Sequence, residues 1–210
     1  MFESFFKSIT EFFSKIIGRR KSIRLGIYGS PNAGKTTLAN RIAKDFVGQE
    51  MGKVSAVPHE TREVIELEKV EIERDGKKLL INLVDTPGIA TKIDFEEFTK
   101  FGMSKKKAKE RAKEATKGVI QAIKWLDKMQ VVLAVIDATK DPYTQVNITI
   151  LGNLEARGIP VIIVGNKMDL KKANIENIKK MFPQYEVVGI SAKTGKNIDK
   201  LYDAVFKVVK

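Results

Sequence analysis

The chain of 210 residues is 43% hydrophobic, which suits one globular domain with a full core and modest additions. It contains no cysteine and one histidine, so a disulfide framework and a thiolate metal site are excluded, and the composition argues against a histidine metal site. The formal net charge of +12 permits attraction to nucleic acid or to anionic lipid without choosing between them.

The first predicted element is an amphipathic helix over residues 2–17. Its apolar residues recur at helical spacing and form one face: Phe2, Phe5, Phe6, Ile9, Phe12, Phe13, Ile16 and Ile17. Gly18 ends the helix, and Arg19-Arg20-Lys21 forms a short basic hinge, so residues 1–21 are set apart from a main domain over residues 22–210. Two interpretations stand: the apolar face packs on its own domain, or it docks on a membrane surface or a protein partner.

No apolar run reaches the roughly 18 residues of a membrane span, and the N-terminus lacks the pattern of a secretory signal. We therefore expect a cytoplasmic chain, with peripheral contact at a membrane as the alternative.

A phosphate-binding loop is predicted after the apolar run that ends at Tyr28. Its residues are Gly29, Ser30, Pro31, Asn32, Ala33, Gly34, Lys35, Thr36 and Thr37. A glycine, four residues and then Gly-Lys-Thr is the spacing in which successive backbone N–H groups curl around a phosphate chain. Lys35 is expected to reach the β- and γ-phosphates, and the Thr36 hydroxyl to bind Mg²⁺. A helix predicted over residues 35–46 adds the positive end of its dipole.

The middle of the chain combines loops, a hairpin and a basic helix. Residues 47–62 are predicted as a long loop, and alternating apolar residues over 64–72 and 79–83 predict an antiparallel hairpin that turns at 75–76. After an irregular stretch over 89–103, a helix is predicted over 104–128. Its first half carries a basic cluster: Lys105, Lys106, Lys107, Lys109, Arg111, Lys113 and Lys117. The cluster is either a solvated helix face or a surface for RNA or acidic lipid.

The last third of the chain alternates strands and helices. Strands are predicted over 131–137, 161–164 and 187–190, and helices over 146–156, 174–182 and 198–209. This alternation predicts an α/β, three-layer fold with a mixed, mostly parallel sheet of about six strands and helices on both faces.

Three further motifs follow predicted strands, where ligands of such sheets bind. In Asp85-Thr86-Pro87-Gly88, the carboxylate can hold Mg²⁺ through water and the glycine N–H can approach a γ-phosphate. In Asn166-Lys167-Met168-Asp169, the Asp169 carboxylate can accept two hydrogen bonds from the N1–H and N2–H₂ edge of guanine, which adenine cannot supply. Ser191-Ala192-Lys193 can present a backbone N–H to the guanine O6.

With these motifs in this order, the chain resembles the P-loop GTPases of the Era-like branch, which includes Era, Der and the tRNA-modification GTPase. The resemblance covers about residues 23–210 and implies binding of GTP or GDP with Mg²⁺. It implies Lys35 on the phosphates, Thr36 on Mg²⁺, and Thr61, in the sequence PHETR, as the switch I threonine that joins Mg²⁺ when GTP is bound. It further implies a switch II site made by Asp85 and Gly88. The base pocket would be made by Asn166, Lys167, Asp169 and Ala192.

Two residues within the motifs bear on mechanism. Ile89 follows Gly88, where Ras-like enzymes carry the glutamine that orients the attacking water. Asn32 matches the asparagine with which cation-dependent members of the family help to hold K⁺ against the phosphates. We therefore expect a nucleotide-dependent switch with slow GTP hydrolysis, stimulated by K⁺ and by a nucleotide-dependent homodimer. Other polar neighbours of the switch loops are His59, Glu60, Glu96 and Glu97.

The resemblance leaves the cellular role open. The sequence stops at Lys210 after the closing helix, so we expect the RNA-binding module that follows this domain in Era to be missing. The alternative hypothesis is a nucleotide-regulated interaction module in which turnover is incidental. It would contact a membrane through residues 2–17, or RNA and the ribosome through the helix from Lys105 to Lys117.

Overall fold

The computed structural model describes residues 22–51, 63–74, 76–90 and 95–209. The amphipathic helix and basic hinge predicted over 1–21 lie outside the described residues, and so do most of the long loop predicted over 47–62 and Thr61.

Six strands form one sheet in the order β2-β3-β1-β4-β5-β6. Their bounds are β1 Ile23–Gly29, β2 Ile65–Arg74, β3 Lys77–Asp85, β4 Val131–Asp137, β5 Val161–Asn166 and β6 Glu186–Gly189. Among the described strands, the β2–β3 pair alone is antiparallel, and the other pairs are parallel. The predicted mixed, mostly parallel sheet and its hairpin are therefore confirmed.

Helices cover both faces of this sheet. Their bounds are α1 Lys35–Val47, α2 Phe95–Thr99, α3 Lys105–Trp125, α4 Gln145–Ala156, α5 Ile175–Met181 and α6 Ile198–Val208. Leu133 and Val135 of β4 pack with α1 and α6, whereas Val132 and Ala134 pack on the opposite face. Successive side chains of a strand point to opposite faces, so a strand that is apolar throughout needs helices on both sides.

A short helix occupies part of the stretch that was predicted to be irregular. α2 covers only five residues, which is too short for a periodic pattern to be visible in the sequence. Its Phe98 is fully buried and clusters with Ala108 and Ala115 of α3. Packing against α3, rather than periodicity, therefore stabilises this helix.

A β-bulge interrupts the hairpin. The pairing passes from Leu67 opposite Leu83 to Val70 opposite Ile81, so β2 carries one residue more than β3 at this point. Lys69 adopts a φ of 58°, and its N–H donates to Asn82 Oδ1 at 3.2 Å. The bulge keeps Leu67 and Val70, which lie three residues apart, on the same face of the sheet.

The structure corrects the prediction for one residue of the basic cluster in α3, because Arg111 is buried. Its side chain is only 5% exposed and lies 3.5 Å from Glu114, whereas the six lysines of the cluster are exposed. Residue 111 lies three positions after Ala108 and four before Ala115, and so falls on the buried face of the helix. The exposed cluster therefore consists of lysines alone.

Within the described ranges, no helix is long and apolar enough to cross a bilayer.

Candidate nucleotide-binding site

The predicted motifs meet at one edge of the sheet. The loop of residues 29–37 follows β1, Asp85 ends β3, Asn166 ends β5, and Ser191 follows β6. These strands all run in the same direction, so their carboxyl ends lie at the same edge. This edge is where open α/β sheets bind their ligands.

Two glycines of the 29–37 loop are required by close approach of other groups. A side chain on Gly29 would collide with the carbonyl oxygen of Val135 in β4. Gly34 adopts a φ of 95° and lies against the Asn166 side-chain amide, so a Cβ would be both strained and obstructed. The loop is therefore seated directly on β4 and β5.

Lys35 is a buried cation inside the loop. Its Nζ donates to the carbonyl oxygen of Ser30 at 3.0 Å, which curls the side chain back over the loop. Burial lowers the pKa of Lys35 to about 8, and the nearby Asp85 carboxylate offsets only part of that effect. A buried ammonium group held against this loop is a suitable partner for a phosphate.

Thr36 and Asp85 form a pair beside Lys35. The Thr36 hydroxyl donates to Asp85 Oδ2 at 2.7 Å. Asp85 is fully buried, and its Oδ1 has no hydrogen-bond partner among the described residues. Burial raises the pKa of Asp85, because the Thr36 hydroxyl, the charge of Lys35 and the Thr86 N–H compensate only in part. The carboxylate thus retains an unused acceptor next to a hydroxyl.

This pair fits a Mg²⁺ ion. In the described part of the chain, no three His, Cys, Asp or Glu side chains converge on a common point as metal ligands. Mg²⁺ is commonly held by one or two carboxylates together with substrate phosphates and water, so it needs no larger acidic cluster. The free oxygen of Asp85 and the hydroxyl of Thr36 are donors of the type that this ion prefers.

The residues after Asp85 pack against the loop of residues 29–37. A Cβ on Gly88 would lie 3.0 Å from the Cα of Pro31, so the two segments are in close contact. The Thr86 hydroxyl donates to the Ile27 carbonyl at 2.7 Å, and the Ile89 N–H donates to the Gly29 carbonyl at 3.1 Å. The Ile89 side chain is 4% exposed and belongs to the core. This side chain is apolar, so it carries no donor or acceptor with which to orient a water molecule.

Asn166 joins the two ends of the site. Its Nδ2 donates to the Ala33 carbonyl of the 29–37 loop at 2.9 Å, and its Oδ1 accepts the Ala192 N–H at 3.0 Å. The amide is buried, so both of its ends bond to backbone groups that are shielded from water. The Ala192 N–H, one of those expected near the base, is bonded to Asn166 in this structure.

Lys167 and Asp169 lie on either side of Met168 and have different environments. Lys167, with a φ of 72°, donates from Nζ to Asp137 Oδ2 at 2.7 Å, and the Thr139 N–H and hydroxyl donate to the other oxygen. Burial raises the pKa of Asp137, but the bonds from Lys167 and Thr139 outweigh it and leave the pKa below its ordinary value. Asp169 is exposed, and the Ser191 hydroxyl lowers the pKa of its carboxyl group. It is thus an ionised carboxylate, open to a ligand.

Two residues at this edge were not among the predicted site residues. Asp137 ends β4 and holds Lys167; as an acidic residue directly after a buried strand, it carries the same sequence signal as Asp85. Arg41 of α1 donates to the carbonyl oxygens of Ala192 and Lys193. Its position in the middle of a helix offers no signal of this kind in the sequence.

Several further predicted residues have roles that the described structure does not test. Asn32 is exposed in the 29–37 loop, with a φ of 60°. Glu96 is exposed on α2, whereas His59, Glu60 and the side chain of Glu97 lie outside the described part of the structure. Their predicted roles therefore stay predictions.

Comparison with known proteins identifies related families. Residues 24–167 match the family model described as 50S ribosome-binding GTPase. The chain is 31% identical over 198 residues to GTPase Der of Thermoanaerobacter sp. (strain X514), covering 90% of this chain and 39% of that protein. GTPase Der of Sulfurihydrogenibium sp. (strain YO3AOP1) is also 31% identical, over 201 residues. The chain thus spans about two fifths of the length of these relatives.

Solved structures show the same fold. A variant of Era from Aquifex aeolicus bound to GDP and AlF₄⁻ superposes with a TM-score of 0.67 at 27% identity, covering 88% of this chain and 56% of that one. Era in complex with MgGDPNP and nucleotides 1506–1542 of 16S ribosomal RNA has a TM-score of 0.68 at 27% identity, covering 90% and 57%. A probable GTP-binding protein engB, with a TM-score of 0.57 at 22% identity, shares the fold.

Proposed function

We infer that this chain, which belongs to the 50S ribosome-binding GTPase family and to its branch with Era and Der, binds GTP and hydrolyses it to GDP and phosphate as a nucleotide-dependent switch. The single observation that carries this proposal is the Thr36–Asp85 pair beside buried Lys35. This pair supports the proposal because it brings together a cation, a hydroxyl and an unused carboxylate oxygen, which are the groups that would bind a phosphate chain with its Mg²⁺.

The loop of residues 29–37 would hold the phosphates, with Lys35 at the β- and γ-phosphates. Thr36 and Asp85 would hold Mg²⁺, with Thr61 joining them when GTP is bound. When bound, Mg²⁺ neutralises charge on the β- and γ-phosphate oxygens. Gly88, in close contact with Pro31, would offer its N–H to the γ-phosphate. Stabilisation of the developing charge by these groups is the main source of catalysis in phosphoryl transfer.

In the proposed hydrolysis, a water oxygen forms a bond to the γ-phosphorus while the bond between that phosphorus and the β,γ-bridging oxygen breaks. GDP leaves with the bridging oxygen and the electron pair of the broken bond, and inorganic phosphate carries the water oxygen with its two protons. Buried Ile89 cannot orient this water as a glutamine would, so we propose a slow intrinsic rate.

The base would lie over the loops after β5 and β6. Asp169, open and ionised, would accept hydrogen bonds from the N1–H and N2–H₂ groups of guanine. Lys167 would flank the base. The Ser191 and Ala192 N–H groups already donate to the Lys196 carbonyl and to Asn166, so the Lys193 N–H would face O6. Asn166 would support both the phosphate and the base loop through its bonds to Ala33 and Ala192.

Release of inorganic phosphate from GTP and from ATP by the full chain tests this function. We expect the chain to hydrolyse GTP but not ATP, and to lose this activity in EDTA. The hydrolysis rate should fall by at least about a hundredfold for Lys35→Ala, because this change removes the positive charge that would stabilise the transition state. Lys44→Ala, an exposed lysine of the same helix, is the matched control and should hydrolyse GTP at the wild-type rate. Equal turnover of ATP, or full activity of Lys35→Ala, would contradict the proposal.

Stimulation by K⁺ is the finer part of the proposal and depends on Asn32. The exposed Asn32 side chain would help to hold K⁺ against the phosphates, supplying positive charge at the place where other GTPases insert an arginine. Hydrolysis should then be faster in KCl than in NaCl at equal ionic strength, and Asn32→Ala should abolish the difference. Equal rates in both salts for the wild-type chain would remove K⁺ from the mechanism.

RNA binding through α3 is a second candidate function. Six exposed lysines lie between Lys105 and Lys117 of this helix, and the Era structure compared above is bound to 16S ribosomal RNA. Lys105→Glu, Lys106→Glu and Lys107→Glu together should weaken salt-sensitive binding to a ribosomal RNA fragment. The same charge change at Lys171, Lys172 and Lys180, which are exposed elsewhere, is the control. If both triple variants lose RNA equally, net charge rather than α3 is responsible.

We further propose the division into residues 1–21 and the nucleotide-binding domain over 22–210. The Phe-rich sequence of residues 2–17 would dock on a membrane or a protein, and a nucleotide-dependent homodimer would form across the nucleotide face, in an otherwise cytoplasmic protein. Liposome flotation with GDP and with a non-hydrolysable GTP analogue, before and after deletion of residues 2–17, tests the membrane contact. Flotation that changes neither with the bound nucleotide nor on deletion of residues 2–17 would contradict this contact.

A further inference from the structure

A polar chain of three side chains reaches the base loop from the outside of the domain. Arg41 donates from Nε to the Ala192 carbonyl at 3.3 Å and from Nη2 to the Lys193 carbonyl at 3.0 Å. Its Nη1 lies 3.8 Å from Asp45, one turn further along α1. Asp45 in turn accepts the Tyr202 hydroxyl of α6 at 2.8 Å. The guanidinium group of Arg41 thus connects the carbonyl groups of Ala192 and Lys193 to α1 and, through Asp45, to α6.

The packing around Arg41 fixes this arrangement. Its side chain is 29% exposed, and a Cβ on Gly195 would lie 3.6 Å from the guanidinium carbon, so the loop folds closely around the group. Tyr202 is buried against Phe46, with ring centroids 5.0 Å apart. Because the ring is held by packing, its hydroxyl can orient Asp45, and Asp45 can orient the guanidinium.

Ala192 is therefore held from both sides. Asn166 accepts its N–H, and Arg41 donates to its carbonyl oxygen. α1 begins at Lys35 and Thr36, so the helix that carries Arg41 also carries the side chains proposed to meet the phosphates. A single rigid element thus fixes the distance between the phosphate end and the base end of the site.

We propose that Arg41, oriented by Asp45 and Tyr202, is a positioning residue that sets guanine specificity by holding the backbone of residues 191–193 at the O6 edge of the base. The proposal rests on the guanine-nucleotide function argued above and adds a determinant of its specificity. Arg41 does not itself touch the nucleotide; its effect is greatest at the part of the base that the 191–193 loop faces. Asp169 would bind the adjacent N1–H and N2–H₂ groups and belongs to the loop after β5. The Ser191 hydroxyl also acts on Asp169, so recognition of these groups should weaken, but less than recognition of O6.

The test compares three nucleotides on Arg41→Gln. GDP is the reference, 6-thio-GDP replaces the O6 acceptor with a weak acceptor, and XDP keeps O6 but has a carbonyl oxygen in place of the N2–H₂ group that Asp169 would bind. We expect the dissociation constant for GDP to rise about tenfold, as for loss of a charge-assisted hydrogen bond. The preference for GDP over 6-thio-GDP should fall by a similar factor, whereas the preference for GDP over XDP should fall by much less.

Lys44→Gln on the exposed side of α1 is the matched control, and all three of its dissociation constants should equal those of the wild-type chain. Arg41→Lys, which keeps the charge but not the forked geometry, and Tyr202→Phe, which removes only the hydroxyl, should fall between wild type and Arg41→Gln. These two variants also serve if Arg41→Gln does not fold.

Equal affinities for wild type and Arg41→Gln would overturn the positioning role, as would an equal loss for all three nucleotides. Failure of the wild-type chain to bind any of them would instead overturn the proposed function, and the positioning role with it.

Discussion

Asn166 shows at the scale of one residue how strongly the site depends on a single side chain. Its amide satisfies the buried Ala33 carbonyl and the buried Ala192 N–H at the same time. Asn166→Ala would leave both backbone groups without a partner, at a cost of roughly 1–3 kcal/mol for each buried polar group. We expect the free energy of unfolding without nucleotide to fall by about 2–4 kcal/mol, measured by urea denaturation.

Asn174→Ala is the control for this substitution. Asn174 caps α5, accepting the Asn177 N–H at 3.0 Å, and an N-cap is worth about 1 kcal/mol. The loss for Asn166→Ala should therefore be at least twice that for Asn174→Ala. Similar losses would mean that water or a shift of the loops replaces the bonds of Asn166.

Asp137 makes stability depend on pH. The bonds from Lys167 and Thr139 hold the pKa of this buried carboxyl below the ordinary value of 3.8, so its contribution is present above pH 3.8 and is lost as pH falls through the folded-state pKa. Asp137→Asn should cost about 2 kcal/mol at pH 7, the value of a charge-assisted bond. In urea unfolding from pH 7 to pH 2.5, the difference from wild type should shrink below pH 4. A difference that stays constant would show that Asp137 does not titrate as described.

Sequence predicted some of these residues and not others for a physical reason. Lys35, Thr36 and Asp85 belong to short segments whose residue types follow from phosphate and Mg²⁺ chemistry. Arg41 acts on carbonyl oxygens more than 150 residues away, and these accept hydrogen bonds whatever side chain their residues carry. No local pattern marks such a contact, because the tertiary fold alone brings the two segments together.

At the scale of secondary structure, elements with a continuous apolar pattern were predicted closely. β4 was predicted over 131–137 and has these bounds, and α1 ends at Val47, with Gly48 capping it at a φ of 79°. The sequence pattern did not predict α2, and it wrongly placed Arg111 in the exposed cluster. Both depend on what α3 packs against. Periodicity identifies the apolar face of a helix, but it does not tell which long polar side chain is buried there.

We expect Phe98 to stabilise α2 without affecting the stability of the sheet. Phe98→Ala removes the only fully buried side chain described in this five-residue helix. We expect the helix to open locally rather than the domain to unfold, because few of its contacts lie elsewhere. Hydrogen exchange should accelerate at least about tenfold at the amides of α2 and stay unchanged at those of β4.

Phe101→Ala is the matched control for Phe98→Ala. Phe101 is 47% exposed directly after α2, so its loss should leave all of these exchange rates near wild type. Acceleration at β4 in Phe98→Ala would show that α2 and the sheet open as one cooperative unit.

At the scale of the whole molecule, the strand order spreads the site across most of the sheet. The phosphate-binding residues lie at the ends of β1 and β3, and the base-binding residues lie at the ends of β5 and β6, on the other side of β4. The alternation of strands and helices predicted a doubly covered, mostly parallel sheet, but it does not determine which strands are neighbours. A nucleotide that spans this edge would join both halves and should stabilise the domain as its concentration exceeds the dissociation constant.

Guanine recognition by Asp169 is the most direct test of the whole account. We would measure the dissociation constants of GDP, XDP and ADP for the wild-type chain and for Asp169→Asn by titration calorimetry. The wild-type chain should prefer GDP over both others by at least about a hundredfold, because a mismatched base leaves polar groups unpaired. Asp169→Asn should reverse the preference between GDP and XDP. Equal binding of GDP and ADP by the wild-type chain, or an unchanged preference for GDP in Asp169→Asn, would contradict the account.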